Sequence, residues 1–272
     1  MKKNILVTGI SSELLTKLCL KINQDEYRIF GVSRTKNKIE RLEYACLLNG
    51  DLTAENFVNK IFSGNKFDMV IHGAALTHSF DAEKYFEINY RATKTIVDAV
   101  KKYQEDCIFI FISSRTAGYK SGAYGKSKIL AEEYIIKNLE NWLIFRPSEI
   151  FGGLKNEGIN KLLNDASNKK ILFCPANLKA KLYPISIDYA ADLMFDDIFN
   201  KKNRNKIITI KGADGWTYIE YAKKISKEKN NKIFIMPLPK ILMYILKYFL
   251  IIFRIKKIIA PDQIDRLYAE KN

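Results

Sequence analysis

At 272 residues, 47% of them apolar and 28% charged, the chain can bury one large α/β domain, or a nucleotide-binding domain with a small appendage. Its net charge of +15 raises affinity for polyanions such as nucleic acid, anionic lipid or a phosphate-bearing small molecule. No aromatic RNA-binding signature or Cys/His finger accompanies that charge, which argues against a nucleic-acid reader. Lys, Asn and Ile are abundant throughout, so much of the excess reads as solvated lysine.

Cys19, Cys46, Cys107 and Cys174 have no metal-ligand spacing and read as free thiols in a reducing, cytoplasmic setting. His72 and His78 are too few and too close to suggest a metal site. The opening MKKNILVTG passes from two lysines into a strand too short for the apolar part of a signal peptide.

In chain order, 4–8 reads as a strand followed at once by Gly9, with Ser11 or Ser12 placed to cap a helix through LLTKLCLKI. Further strands are expected at 27–34, 44–51, 67–75, 107–113 and 141–147. Helices are expected at 54–62 and 82–104, and after the strand end at 113–114. Apolar strands alternating with helices over nearly 150 residues specify a doubly wound, Rossmann-like parallel sheet covered on both faces. Ligands bind such a sheet at the carboxyl ends of its strands, where Gly9, Arg34, Asp51, Ala74, Ser114 and Pro147 fall. The alternation fails after Gly153. Residues 154–205 are mixed and polar, and a strand at 206–212, a helix at 217–226 and a strand at 234–239 follow. The reading is a dinucleotide-binding domain over 1–152 and a small C-terminal substrate lobe over 153–272, interleaved with the sheet.

The motifs carry the chemistry. Gly9 after the first strand allows a tight turn toward a phosphate, and the next helix offers its N-terminal amides. By itself a glycine there is more often only a turn residue. The second strand ends in Ser33 and Arg34 where an acidic residue would bind a ribose; arginine suits a 2′-phosphate, so NADP is favoured over NAD. Asp51 could accept from an adenine amino group or serve as an ordinary cap. His72 reads as a packed strand-end histidine. Tyr124 and Lys128 stand one helical turn apart, after the strand ending in Ser113 and Ser114. A nearby ammonium would lower the phenol pKa, and a serine hydroxyl could bond the substrate oxygen as a proton moves.

These motifs together resemble an extended short-chain dehydrogenase/reductase of the nucleotide-sugar epimerase and reductase type. The resemblance rests on VTG (7–9), GDL (50–52), VIHGAA (70–75), NYRATKTIVDAV (89–100), FISS (111–114), YGKSK (124–128) and RPSEIFG (146–152), with YPISIDYAADLM (183–194) matching the substrate-lobe strand and helix. It implies Ser114, Tyr124 and Lys128 as the catalytic set and Asn89 in the relay network. Gly9, Ser12, Ser33, Arg34, Asp51, Leu52, Ala74, Lys128 and Pro147 would line the cofactor, with Ser148 beside Pro147 near the nicotinamide. The substrate would be a nucleotide sugar of surface-polysaccharide biosynthesis. In this family sheet helices commonly pair into homodimers.

The chain departs from the family where Ser12 and Leu15 replace two glycines of the phosphate loop. Leu15 should push the helix off the sheet or require a compensating small neighbour. Arg115 and Thr116 stand where sugar 4,6-dehydratases carry Asp and Glu, so water elimination is disfavoured. The expectation is 4-epimerisation, narrowly ahead of NADPH-dependent reduction of a 4-keto sugar. A non-catalytic nucleotide-binding member is the third alternative.

The last element, 240–259, is an apolar helix with Lys240, Lys247 and Arg254 drawn in one basic stripe. Two readings stand: an interfacial helix with its lysines at anionic headgroups, or a helix packed into the lobe with one wet edge. PDQIDRLY (261–268) resembles the tail of surface-polysaccharide enzymes in the family.

Overall fold

Short apolar runs flanked on both sides by helices can hide both of their faces only as interior strands of a sheet. The computed structural model describes residues 2–34, 42, 45–104, 106–176, 178, 180–253 and 260–270. Its strands are β1 (Lys3–Thr8), β2 (Tyr27–Ser33), β3 (Cys46–Asn49), β4 (Met69–His72), β5 (Ile108–Ile112), β6 (Trp142–Pro147), β7 (Ile150–Phe151), β8 (Ile171–Pro175), β9 (Ile185–Ser186), β10 (Lys206–Ile210) and β11 (Phe234–Leu238). Seven of them form one parallel sheet in the order β3-β2-β1-β4-β5-β6-β10. Ile5 of β1 pairs with Ile29 of β2 on one side and Met69 of β4 on the other. The strand order reverses between β1 and β4, which opens a crevice at their carboxyl ends.

The helices are α1 (Glu13–Leu20), α2 (Glu55–Gly64), α3 (Ala82–Tyr85), α4 (Ala92–Tyr103), α5 (Gly122–Asn138), α6 (Gly158–Asn168), α7 (Ile187–Phe195), α8 (Tyr218–Glu228), α9 (Lys240–Ile252) and α10 (Pro261–Tyr268). Because alternate strand residues face opposite ways, the sheet builds two cores. On one face Ile5, Val7, Ile71 and Phe145 pack with Leu15 and Leu18 of α1 and Met194 of α7. On the other, Leu6, Val70, Phe109 and Ile144 pack with Val58 of α2, Ile96 and Val97 of α4, and Ile135 of α5.

Two expectations change. The helix expected at 82–104 is interrupted by a π-helical segment, Phe86–Arg91, between α3 and α4. The extra residue in that turn carries Asn89 inward, where its amide holds both backbone groups of Leu76 (2.7 and 3.0 Å) and the Ser127 hydroxyl (3.2 Å). The polar stretch 154–205 contains α6 and β8 besides β9 and α7, the strand and helix expected at 183–194. Ile159, Leu162 and Ala166 of α6 close a separate small core with Leu172 and Cys174 of β8 and Tyr221 and Ala222 of α8. Numerous Asn and Lys residues masked that spacing. β10 then returns to the edge of the main sheet beside β6. The expected helix at 240–259 is present as α9 over Lys240–Ile252; positions 254–259, and Tyr44 of the expected third strand, lie outside the described residues.

Candidate active site

The turn from β1 into α1 is built on Gly9, whose φ of +71° suits glycine. A Cβ there would also lie 2.6 Å from the Ala74 nitrogen, so the ends of β1 and β4 approach at contact distance. Ser12 caps α1 by accepting from the Leu15 amide at 3.3 Å. Leu15 does not push α1 away from the sheet: it is fully buried, and the compensating small neighbour is Gly73.

A cleft of about 1280 Å³ opens along this crevice. Gly9, Ser12, Ser33, Arg34, Asp51, Leu52 and Ala74 all line it. Asp51 does not cap α2; it accepts from the Thr53 amide at 2.9 Å in the turn before that helix, while still facing the cleft. The opposite wall is the lobe segment around Gly153 and Leu154. Glu13, in the first turn of α1, draws that wall in, because its carboxylate accepts from the Leu154 amide at 3.0 and 2.8 Å.

Ser114, Tyr124, Lys128 and Pro147 do not line this cleft. Tyr124 is 7% exposed and edge-on to Tyr85 with ring centroids 5.8 Å apart, and the Ser114 hydroxyl, 2.9 Å from the Thr116 hydroxyl, lies near its phenol. Helix α10 covers it: the Arg266 guanidinium lies 4.5 Å from the Tyr124 ring centroid, and the Asp262 carboxylate accepts from the Tyr124 amide at 3.1 Å. Burial pushes the Tyr124 phenol up; the Arg266 cation and the Ser114 hydroxyl pull it back, and Asp262 adds to the rise. The cation acting on the phenol is thus Arg266, where the sequence pointed to Lys128. Lys128 is itself buried, donates to the Ile112 carbonyl at 2.8 Å and sits over the Phe111 ring. Burial pulls its ammonium down to about 7, with Glu132 opposing. Ser113, the other serine of the pair, is committed elsewhere, since it donates to Glu132, which is ion-paired with Arg146 at 2.6 Å.

Residues 1–239 match the family described as RmlD substrate binding domain. The chain belongs to this family. It is therefore an extended short-chain dehydrogenase/reductase, as its motifs implied. Over 185 residues it is 24% identical to a dTDP-4-dehydrorhamnose reductase of Aggregatibacter actinomycetemcomitans, a match covering 62% of this chain and 58% of that protein. The matched stretch thus spans less than two thirds of that relative. Among solved structures it resembles the dTDP-4-dehydrorhamnose reductase of Bacillus anthracis in complex with NADP (TM-score 0.69, 17% identity, 98% of this chain and 99% of that one). It also resembles the UDP-glucose 4-epimerase of Thermotoga maritima with UDP-glucose (TM-score 0.70, 17% identity, 87% and 85%). At these identities the likeness to the structures is one of fold.

In this RmlD-family chain the dehydratase position holds Arg115, and the structure turns it into a clamp. It pairs with Glu149 at 3.1 Å, donates to the Lys181 carbonyl at 2.6 Å and lies over the Tyr183 ring. Glu149 in turn accepts from the Tyr183 amide at 2.8 Å, so the pair ties the lobe to the sheet. His72 is a packed histidine held between the Thr8 and Thr93 hydroxyls at 2.6 and 2.8 Å. Burial, with Lys128 adding, pulls it down to about 3. Sequence reasoning missed Glu13, Asp262 and Arg266. The last two lie in PDQIDRLY, singled out by resemblance, but the contact of Asp262 with Tyr124 joins positions 138 residues apart in the chain.

Proposed function

We propose that this chain is an NADPH-dependent reductase of a nucleotide-linked 4-keto sugar. Family membership supports this over the 4-epimerisation expected from the motifs, and the named reductase relative supports it again. The observation that carries it is the cleft at the β1–β4 crevice, with Arg34 just beyond the end of β2 in its wall, in a fold that sets Tyr124 of α5 near Ser114 after β5.

The residues present suit a dinucleotide. The α1 N-terminus and the close Gly9–Ala74 approach suit its pyrophosphate, Arg34 a 2′-phosphate, and Asp51 and Leu52 the adenine. When bound, the nicotinamide would supply the hydride that reduces the carbonyl carbon. Tyr124 would give its phenolic proton to the carbonyl oxygen, and Ser114 would hydrogen-bond that oxygen as charge develops. Burial that keeps the phenol protonated suits a proton donor, the role reduction requires. Lys128, buried with its ammonium on the Ile112 carbonyl and outside the cleft lining, would serve to replenish the proton.

The test is a panel of dTDP- and UDP-linked 4-keto sugars with NADPH and NADH, followed by cofactor absorbance and product analysis. One NADPH consumed per alcohol formed is expected. Interconversion of epimers without net cofactor consumption would replace this reading with the epimerase. Absence of binding to either cofactor would leave the non-catalytic alternative.

A further inference from the structure

A helix packed on a water-soluble protein ordinarily turns its apolar side inward and its charges outward. Helix α9 does the reverse. Ile241, Leu242, Ile245, Tyr248, Phe249 and Ile252 are exposed, from 47% for Phe249 to 72% for Ile252. Its lysines turn toward α10. The Lys247 ammonium lies 2.7 Å from the Asp265 carboxylate and packs over the Tyr244 ring, while Lys240 sits over the rings of Tyr244 and Tyr268. Met243 of α9 is buried with Ile264 and Tyr268 of α10 beneath it. An ion pair and a small core therefore fix the orientation that presents the apolar side to the outside. This differs from both readings of the sequence, since Lys247 is held on the protein side and the apolar face is unburied.

The neighbouring strand adds to the surface. β11 runs into α9 and exposes Phe234 and Met236, in register with exposed Ile171 and Phe173 of β8. Exposed apolar side chains in such number mark an interaction surface.

We propose that α9 docks the protein on an anionic lipid surface, lying in the plane of the interface with its apolar side chains inserted. Charge selects this occupant. The sequence from 240 to 257 holds Lys240, Lys247, Arg254, Lys256 and Lys257 and no acidic residue, on a chain of net charge +15. Lys247 is neutralised by Asp265, but the remaining excess of positive charge favours anionic headgroups over a second copy of the same cationic chain. Length sets the mode of contact. α9 has 13 residues and spans about 20 Å, short of the ~20 apolar residues a bilayer crossing needs. No described helix is long and apolar enough to cross a membrane. Because α9 rests on α10, and α10 covers Tyr124, the lipid-facing surface lies one helix away from the catalytic tyrosine.

Co-sedimentation of the full chain with vesicles of phosphatidylcholine alone, or with added phosphatidylglycerol, tests the proposal. The protein should pellet with the anionic vesicles, only weakly with the zwitterionic ones, and less as salt is raised. Ile245→Glu and Ile252→Glu should each weaken partitioning roughly tenfold or more. Both positions are exposed, so circular dichroism and NADPH binding should stay unchanged. Equal binding to both vesicle types, or binding to neither, overturns the proposal. So does a concentration-dependent dimer that the same substitutions dissolve, because the occupant would then be a second copy.

Discussion

The methyl end of Leu15 fills the space that a side chain at Gly73 would need: a Cβ built on Gly73 would stand 2.4 Å from Leu15 Cδ1 and 3.3 Å from Ile112 Cγ1. The room that Leu15 needs is thus supplied by the glycine just past β4, and α1 keeps its seat on the sheet. Gly73→Ala should destabilise by about 1–3 kcal/mol through overpacking. Leu15→Ala should cost about 2–5 kcal/mol through a cavity. The double variant should be more stable than the sum of the two losses, because each change relieves the other. Urea unfolding of the four proteins measures this coupling, and strict additivity would mean the two sites are independent.

Arg34 is expected to discriminate between the two cofactors. A charge-assisted contact to a 2′-phosphate contributes about 1.5–3 kcal/mol. Arg34→Ala should therefore weaken NADPH binding roughly tenfold to a hundredfold and leave NADH nearly unchanged. Titration of both cofactors reads the result. A loss of the same size for both would remove Arg34 from the 2′-phosphate role.

How much of this was legible in the sequence varies along the chain. The sheet could be read because each strand is a short apolar run between helical segments, and its carboxyl-end residues could be placed from order alone. Seven of the expected cofactor residues, from Gly9 to Ala74, line one cleft because each ends or follows a strand of the same sheet. The cover over Tyr124 was not legible. Nothing local to Asp262 or Arg266 signals that α10 packs on α5; that contact is decided by tertiary packing. The same holds for the direction of α9. A stripe of lysines every seventh residue looks like a wet edge until Asp265 and Tyr268 are found opposite it.

Tyr124→Phe should lower turnover by about a hundredfold to ten-thousandfold while NADPH binding persists. Arg266→Gln gives a sharper test of the charge at that site. Arg266 pulls the Tyr124 pKa down, so its removal should raise the pKa further. A donor must be protonated, so the alkaline limb of the reduction rate should move to higher pH in Arg266→Gln. A limb that stays in place would mean that Arg266 does not act on the tyrosine electrostatically.

Lys128 should set function against stability. Its ammonium is buried and pulled down to about 7, from an unfolded value near 10.5. Below about pH 7 both states are protonated, and the folded state bears the whole desolvation penalty, about 5 kcal/mol. Between pH 7 and 10.5 the unfolded chain binds the extra proton, so native stability from this group rises with pH. Lys128→Met removes the penalty but leaves the Ile112 carbonyl without its 2.8 Å donor, at a cost of about 1–3 kcal/mol. The variant should therefore be more stable than the parent by about 2–4 kcal/mol at pH 6–7, lose that advantage as pH rises, and become the less stable of the two near pH 10. Its turnover should fall even where its stability is greater. Urea midpoints across this range decide the matter: a stability difference that does not change with pH would show that packing at Lys128, and not its charge, sets the balance.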